Sequence, residues 1–191
     1  MTDTQTPRLR LALFDLDHTL LPLDSDYEWG EFTIRLGWND PVEFARRNDE
    51  FYAHYQAGTL DVHDYVRFAT EAVRLRGPEA AAAAHAQFMR EVIAPAIRPQ
   101  ALDLIRQHQA AGEQVLIVTA TNEFVTRPIA KALGVEELLA VQLARDAQGG
   151  TRVKLMAYRP CARARCCAWN NGWPTANWAG GMWKARSTAI P

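Results

Sequence analysis

The chain has 191 residues, 48% of them hydrophobic, and a net charge of −1, which suits one compact domain, or a modest domain with an insertion, around a buried core. No run approaches the ~20 apolar residues needed to span a bilayer, and Met1 to Arg10 is polar with no apolar signal segment, so a cytoplasmic protein without membrane partners is expected. The small net charge hides an asymmetry: residues 1–150 hold all 22 acids against 14 Lys and Arg, a balance of −8, while residues 151–191 hold seven basic groups, no acid, all three cysteines and four of the six tryptophans.

In chain order, the apolar run LRLALF ends at acidic and polar residues, which predicts a buried strand feeding a loop. From Ser25 to about Ala111 the apolar residues recur at helical spacing: Trp29, Phe32, Ile34 and Leu36, then Phe44, Phe51, Tyr52 and Tyr55, then Tyr65, Phe68 and Val73. Gly37, Gly58 and Gly77-Pro78 mark helix ends. Ala80 to Ala84 is a strong helix former, and Pro95 and Pro99 bracket the return to the main domain. A helix over Gln100–Ala111 stops at Gly112. A second apolar strand, QVLIVTATN from Gln114, leads to a helix that runs to Leu133 with Gly134 as its stop, and a third strand follows at Leu139–Leu143.

Strand, crossover, strand, helix, strand is the order of a parallel α/β sheet. The first crossover holds far more helix than a crossover needs. Most of residues 22–95 are therefore expected to form a separate helical lobe.

Asp15 and Asp17 stand two residues apart where the first strand ends, so an extended chain points both carboxylates the same way. Two acids sharing one spot repel, and the arrangement is tolerable if a cation lies between them or if one keeps its proton as a general acid. A calcium loop is excluded, because Thr19 and Leu20 stand where such a loop requires an acid or amide and a glycine. The five histidines lack ligand spacing. The cysteines form neither a zinc knuckle nor a disulfide framework.

The full run FDLDHTLL after an apolar strand resembles the first motif of the haloacid dehalogenase superfamily, the helical insert resembles the cap of its phosphoserine-phosphatase-like branch, and the run DSDYEWGEF from Asp24 resembles one bacterial subgroup. Such a likeness implies an α/β fold in which an incomplete Rossmann-like core of residues 1–21 and 96–150 carries residues 22–95 as an inserted α-helical cap. The resemblance implies that Asp15 attacks phosphorus to form an aspartyl-phosphate, and that Asp17 protonates the leaving alcohol and then activates water. It also implies Mg²⁺ held by the Asp15 carboxylate and the Asp17 backbone carbonyl. An acid at position 17 favours phosphate chemistry over carbon–halogen hydrolysis. Thr119, at the end of the second strand, matches the family's second motif, whose hydroxyl and following backbone N–H, here that of Ala120, hold the phosphoryl oxygens. Asn122 stands where it can cap the next helix. The implied substrate is a small phosphorylated metabolite, with phosphoserine and histidinol phosphate as candidates. Asp24, Asp26 or Glu28 could meet a substrate amine, but helix capping explains Asp24 and Ser25 equally well, so none is assigned a substrate role.

Two further motifs of the family are missing from residues 151–191: a lysine after glycine, and an acidic strand end that completes the metal site. Lys154 and Lys184 lack the surrounding pattern, and a segment without Asp or Glu offers no carboxylate. Back-translation accounts for this. If each codon is read from its third base, Ala162 to Pro191 can give AGKVLRLEQWLADRELGGRDVESSFYSDS without a forced stop, containing a Gly-Lys pair and an aromatic approach to SDS. Residues 151–191 are therefore expected to be an out-of-frame tail, arising from one nucleotide lost or two gained near the codons for Gly149 to Thr151. The alternatives are a basic, aromatic-rich tail that binds nucleic acid or an acidic partner, or a non-enzymatic fragment that presents its helices to a partner.

Overall fold

A computed structural model describes residues 10–145 and 151–153. The chain divides into two units, Met1–Met156 and Ala157–Pro191, and every described residue lies in the first. The expectations for residues 154–191 lie outside the described residues.

The elements follow as β1 (Leu11–Phe14), a wide irregular turn (Leu16–Leu20), α1 (Ser25–Arg35), α2 (Pro41–Gln56), α3 (Val62–Ala69), α4 (Glu71–Arg76) and α5 (Pro78–Phe88). A wide turn at Met89–Ile93 then leads into α6 (Ala94–Ala96), α7 (Pro99–Ala110), β2 (Gln114–Asn122), α8 (Glu123–Ala132), β3 (Glu137–Val141), β4 (Leu143–Arg145) and β5 (Thr151–Val153). Helix starts follow local chemistry. Asp24, Asp40 and Asp61 each accept backbone N–H bonds at the head of α1, α2 and α3, satisfying donors that a first helical turn leaves free. Gly112 and Gly134, with φ of 74° and 75°, occupy the left-handed region that ends a helix without a Cβ penalty.

β1, β2 and β3 form a parallel sheet in that order, with Leu11 opposite Gln114 and Leu116 opposite Glu137. The α/β class and parallel sheet expected from the sequence are present, with the helical segments between β1 and β2. The third strand differs from expectation: it begins at Glu137, and Leu143 opens a separate strand, β4, which pairs antiparallel with β5. Pairing, rather than apolar content, decides these limits, because Glu137 meets Leu116 in the ladder. β5 lies within the segment expected to be out of frame and pairs with β4.

An aromatic core joins α1, α5 and α8. Trp29 packs against Phe32, Phe88, Phe124 and the ring of His85 at centroid distances of 5.2–5.8 Å, and Leu16, Leu20 and Leu21 are buried beneath the first turn. In the outer helices Phe68 meets Phe44 and Phe51, with the Arg47 guanidinium 4.6 Å from the Phe68 ring. Tyr52 and Tyr55 remain exposed although their spacing matches the apolar face of α2. No helix among the described residues is long and apolar enough to cross a membrane.

Candidate active site at the end of the first two strands

β1 delivers Asp15 and Asp17 at the C-terminal end of a parallel sheet, where open α/β folds place their ligands. Both residues keep extended dihedrals (φ −76°, ψ 157° and φ −74°, ψ 134°), and His18 then turns the chain with φ 55° and ψ 13°. The turn closes through Leu21 N–H to Leu16 O at 3.0 Å and His18 N–H to Leu23 O at 3.2 Å. This redirects the chain into α1 at once, and brings the head of that helix against Asp17.

The two carboxylates have different surroundings. Asp15 is exposed and accepts one long bond from the Thr19 hydroxyl at 3.5 Å. Asp17 is half-buried, with each oxygen held: Ser25 N–H donates to Oδ1 at 2.8 Å and the Thr121 hydroxyl donates to Oδ2 at 3.1 Å. Burial pushes the Asp17 carboxyl above its ordinary value; the Ser25 and Thr121 bonds pull it back, and the Asp24 charge adds to the rise. The Ser25 hydroxyl is buried without a hydrogen-bond partner among the described residues.

Thr119 and Ala120 lie on β2, the strand beside β1, in a stretch where the β2–β3 register shifts between Val118 and Asn122. The irregularity frees the Thr121 N–H from the ladder, and it donates to Thr119 Oγ1 at 3.1 Å. Thr121, rather than Thr119, therefore bonds Asp17. The sequence reading missed it, although Thr119 and Thr121 stand at the period-two spacing that shares one face of a strand. Ala120 is exposed. Asn122 accepts from Val125 N–H at 3.3 Å, the capping role expected of it.

A further acid completes the setting. Asp26 on α1 accepts from the Tyr65 hydroxyl at 2.5 Å and from the Asn122 side-chain amide at 3.4 Å. Burial, followed by the Asp24 and Asp17 charges, pushes its carboxyl up to about 6 against the pull of the Tyr65 bond. Burial, followed by the charge and bond of Asp26 and the Asp24 and Asp17 charges, pushes the Tyr65 phenol up. Asp24 is spent on the α1 head, accepting from Asp26 and Tyr27 N–H. No ion pair among the described residues involves Asp15, Asp17, Asp24 or Asp26.

Among the described residues no three His, Cys, Asp or Glu side chains converge as a metal cage. The end of β1 offers, among the described residues, hard oxygen donors at Asp15 and Asp17. That sparse set fits Mg²⁺, which binds through one or two carboxylates and keeps its waters, better than it fits calcium or zinc.

Comparison with known proteins adds to this geometry. A profile of the haloacid dehalogenase-like hydrolases matches residues 12–184, a span that runs into the segment expected to be out of frame. A histidinol-phosphatase of Neisseria meningitidis is 36% identical over 139 residues, 73% of this chain and 63% of that protein. The chain thus covers less than two thirds of that relative. A crystal structure of a protein with unknown function from Bordetella pertussis superposes with a TM-score of 0.70 at 46% identity, covering 78% of this chain and 67% of the other. A phosphoserine phosphohydrolase-like protein from Francisella tularensis, 12% identical with a TM-score of 0.51 over 76% of this chain and 63% of its own, shares the fold.

Proposed function

This chain belongs to the haloacid dehalogenase-like hydrolases, and from that premise we propose that its site is built for Mg²⁺-dependent hydrolysis of a small phosphomonoester, with the 191-residue chain itself impaired. The observation that carries the reading is the contrast between the two strand-end carboxylates: one exposed and nearly unbonded, the other fixed at both oxygens.

In the proposed reaction an Asp15 carboxylate oxygen attacks phosphorus, and the bond from phosphorus to the ester oxygen breaks. Asp17 gives its proton to the departing alkoxide. Asp17 then takes a proton from water, whose oxygen attacks phosphorus, releasing inorganic phosphate and the free Asp15 carboxylate. Fixing Asp17 by two donors from separate elements orients that proton without a search over rotamers. Thr119 keeps its hydroxyl proton available for a phosphoryl oxygen, since its Oγ1 accepts rather than donates in the strand-end turn, and the Ala120 N–H is the companion donor. Mg²⁺, when bound by the Asp15 carboxylate and the Asp17 carbonyl, screens the approach of one anion to another.

The likeness to a histidinol-phosphatase supports histidinol phosphate as the first substrate to test, with phosphoserine second. The impairment follows from residues 151–191, which supply no acid and no Gly-Lys pair. The purified chain is expected to release no phosphate from p-nitrophenyl phosphate above an Asp15→Asn control, whereas a frame-restored chain hydrolyses histidinol phosphate in Mg²⁺. Turnover by the 191-residue chain that Asp15→Asn abolishes would remove the impairment. A frame-restored chain inert to all phosphomonoesters would remove the phosphatase reading.

A further inference from the structure

A stripe of alternating charge, Asp64, Arg67, Glu71 and Arg74, runs along α3 and α4, which meet at Thr70. Its spacings of three and four keep side chains on one helical face. Against that stripe α2 brings Arg47 and Phe51, and with Phe68 these residues line a cleft of about 270 Å³ that opens to solvent. The charges in the cleft do not cancel. Arg47 pairs with Glu71 at 2.7 Å, its guanidinium held 4.6 Å from the centre of the Phe68 ring, and Arg67 pairs with Asp64 at 3.1 Å. Arg74 has no carboxylate partner among the described residues. Its one bond there runs from Nη2 to the Arg67 carbonyl at 3.5 Å, at the weak end of hydrogen bonding. Three guanidinium groups against two carboxylates leave one positive charge in excess. Tyr65 on α3 turns to Asp26 and the strand-end site, whereas the bonds of the stripe stay among α2, α3 and α4.

We propose that this cleft between α2, α3 and α4 binds a small oxyanion with an apolar body, a carboxylate or a phosphate monoester, its anionic head on Arg74 and Arg67 and its body against Phe51. A guanidinium fork matches two oxygens of either head group, and Arg74 has nearly all of its donors to offer. The volume sets the size of the body. At ~30 Å³ per water the cleft has room for roughly nine waters, so a bare inorganic anion fills little of it. Asp64 and Glu71 set the charge, because a second negative group on the ligand would meet their carboxylates. Binding here needs neither Asp15 nor Asp17, and so stands apart from the phosphatase reading.

The test titrates the purified 191-residue chain with benzoate, phenyl phosphate and inorganic phosphate, following the arginine Nε–H signals by nuclear magnetic resonance. Benzoate or phenyl phosphate is expected to bind saturably, one to one, and to move the signals of Arg67 and Arg74, with inorganic phosphate weaker by roughly tenfold. Saturation by benzoate alone makes the natural head group a carboxylate, and by phenyl phosphate alone a phosphate. Arg74→Gln, at an exposed position, is expected to weaken binding roughly tenfold without changing the circular-dichroism melt, and Arg74→Lys, which keeps the charge and loses the fork, to recover only part of it. Arg106→Gln removes a charge from an exposed pair with Asp103 elsewhere on the chain and is expected to leave affinity unchanged. The proposal is overturned if neither organic anion saturates, or if Arg106→Gln weakens binding as much as Arg74→Gln, which is unspecific charge attraction. It is also overturned if the signals that move belong to Thr119 and its neighbours alone, a result that would support the strand-end site instead.

Discussion

Replacing Asp26 by Asn should stabilise the protein at neutral pH. The carboxyl is pushed up to about 6 from an ordinary 3.8, so between those values the folded state binds more protons than the unfolded chain. By linkage, stability then falls as pH rises through that window. Roughly two pH units at about 1.4 kcal/mol each put the cost near 3 kcal/mol once pH exceeds the upper value. Asparagine keeps the shape and both bonds, since its carbonyl can accept from the Asn122 amide and its NH₂ can donate to the Tyr65 oxygen. The assay is thermal unfolding of both proteins from pH 4 to pH 8. At pH 7 Asp26→Asn should melt higher by about 6–12 °C for a chain of this size, and the gap should close towards pH 4. A variant that melts at or below the parent at pH 7, or a gap that does not change with pH, would refute the reasoning.

Thr121→Val keeps the volume of a buried side chain and leaves Asp17 one donor short. A loss of about 1–3 kcal/mol is expected in urea unfolding, largely recovered by Thr121→Ser. Trp29→Ala empties a site bordered by four rings and should cost about 3–5 kcal/mol by the same measurement. His85, bonded through Nε2 to the Val125 carbonyl, is held below its ordinary value by burial. The unfolded chain therefore takes up this proton first as pH falls below about 6.5, and stability declines from there. His85→Gln should flatten that acid limb in a pH series of melts.

Local pattern was enough to locate β1, because an apolar run that stops at Asp15 has few other uses, and to locate the helix ends at Gly112 and Gly134, because a left-handed residue favours glycine. It also singled out Asp15 and Asp17, because the run FDLDHTLL carries its chemistry in neighbouring positions, whereas Thr119 stands out only through its likeness to the family's second motif. The limits of the third strand were misjudged because pairing sets them, and an apolar residue such as Leu143 serves β3 or β4 equally well.

Sequence by itself determined the order of strand, helices, strand, helix and strand from β1 to β3 and the two carboxylates at the first strand end, both of which depend on spacing within a few residues. Only the tertiary structure decided that Thr121 holds Asp17 across 104 positions and that Tyr65 reaches Asp26 across 39. Those outcomes depend on how distant segments approach, which is not written in the periodicity of any single segment.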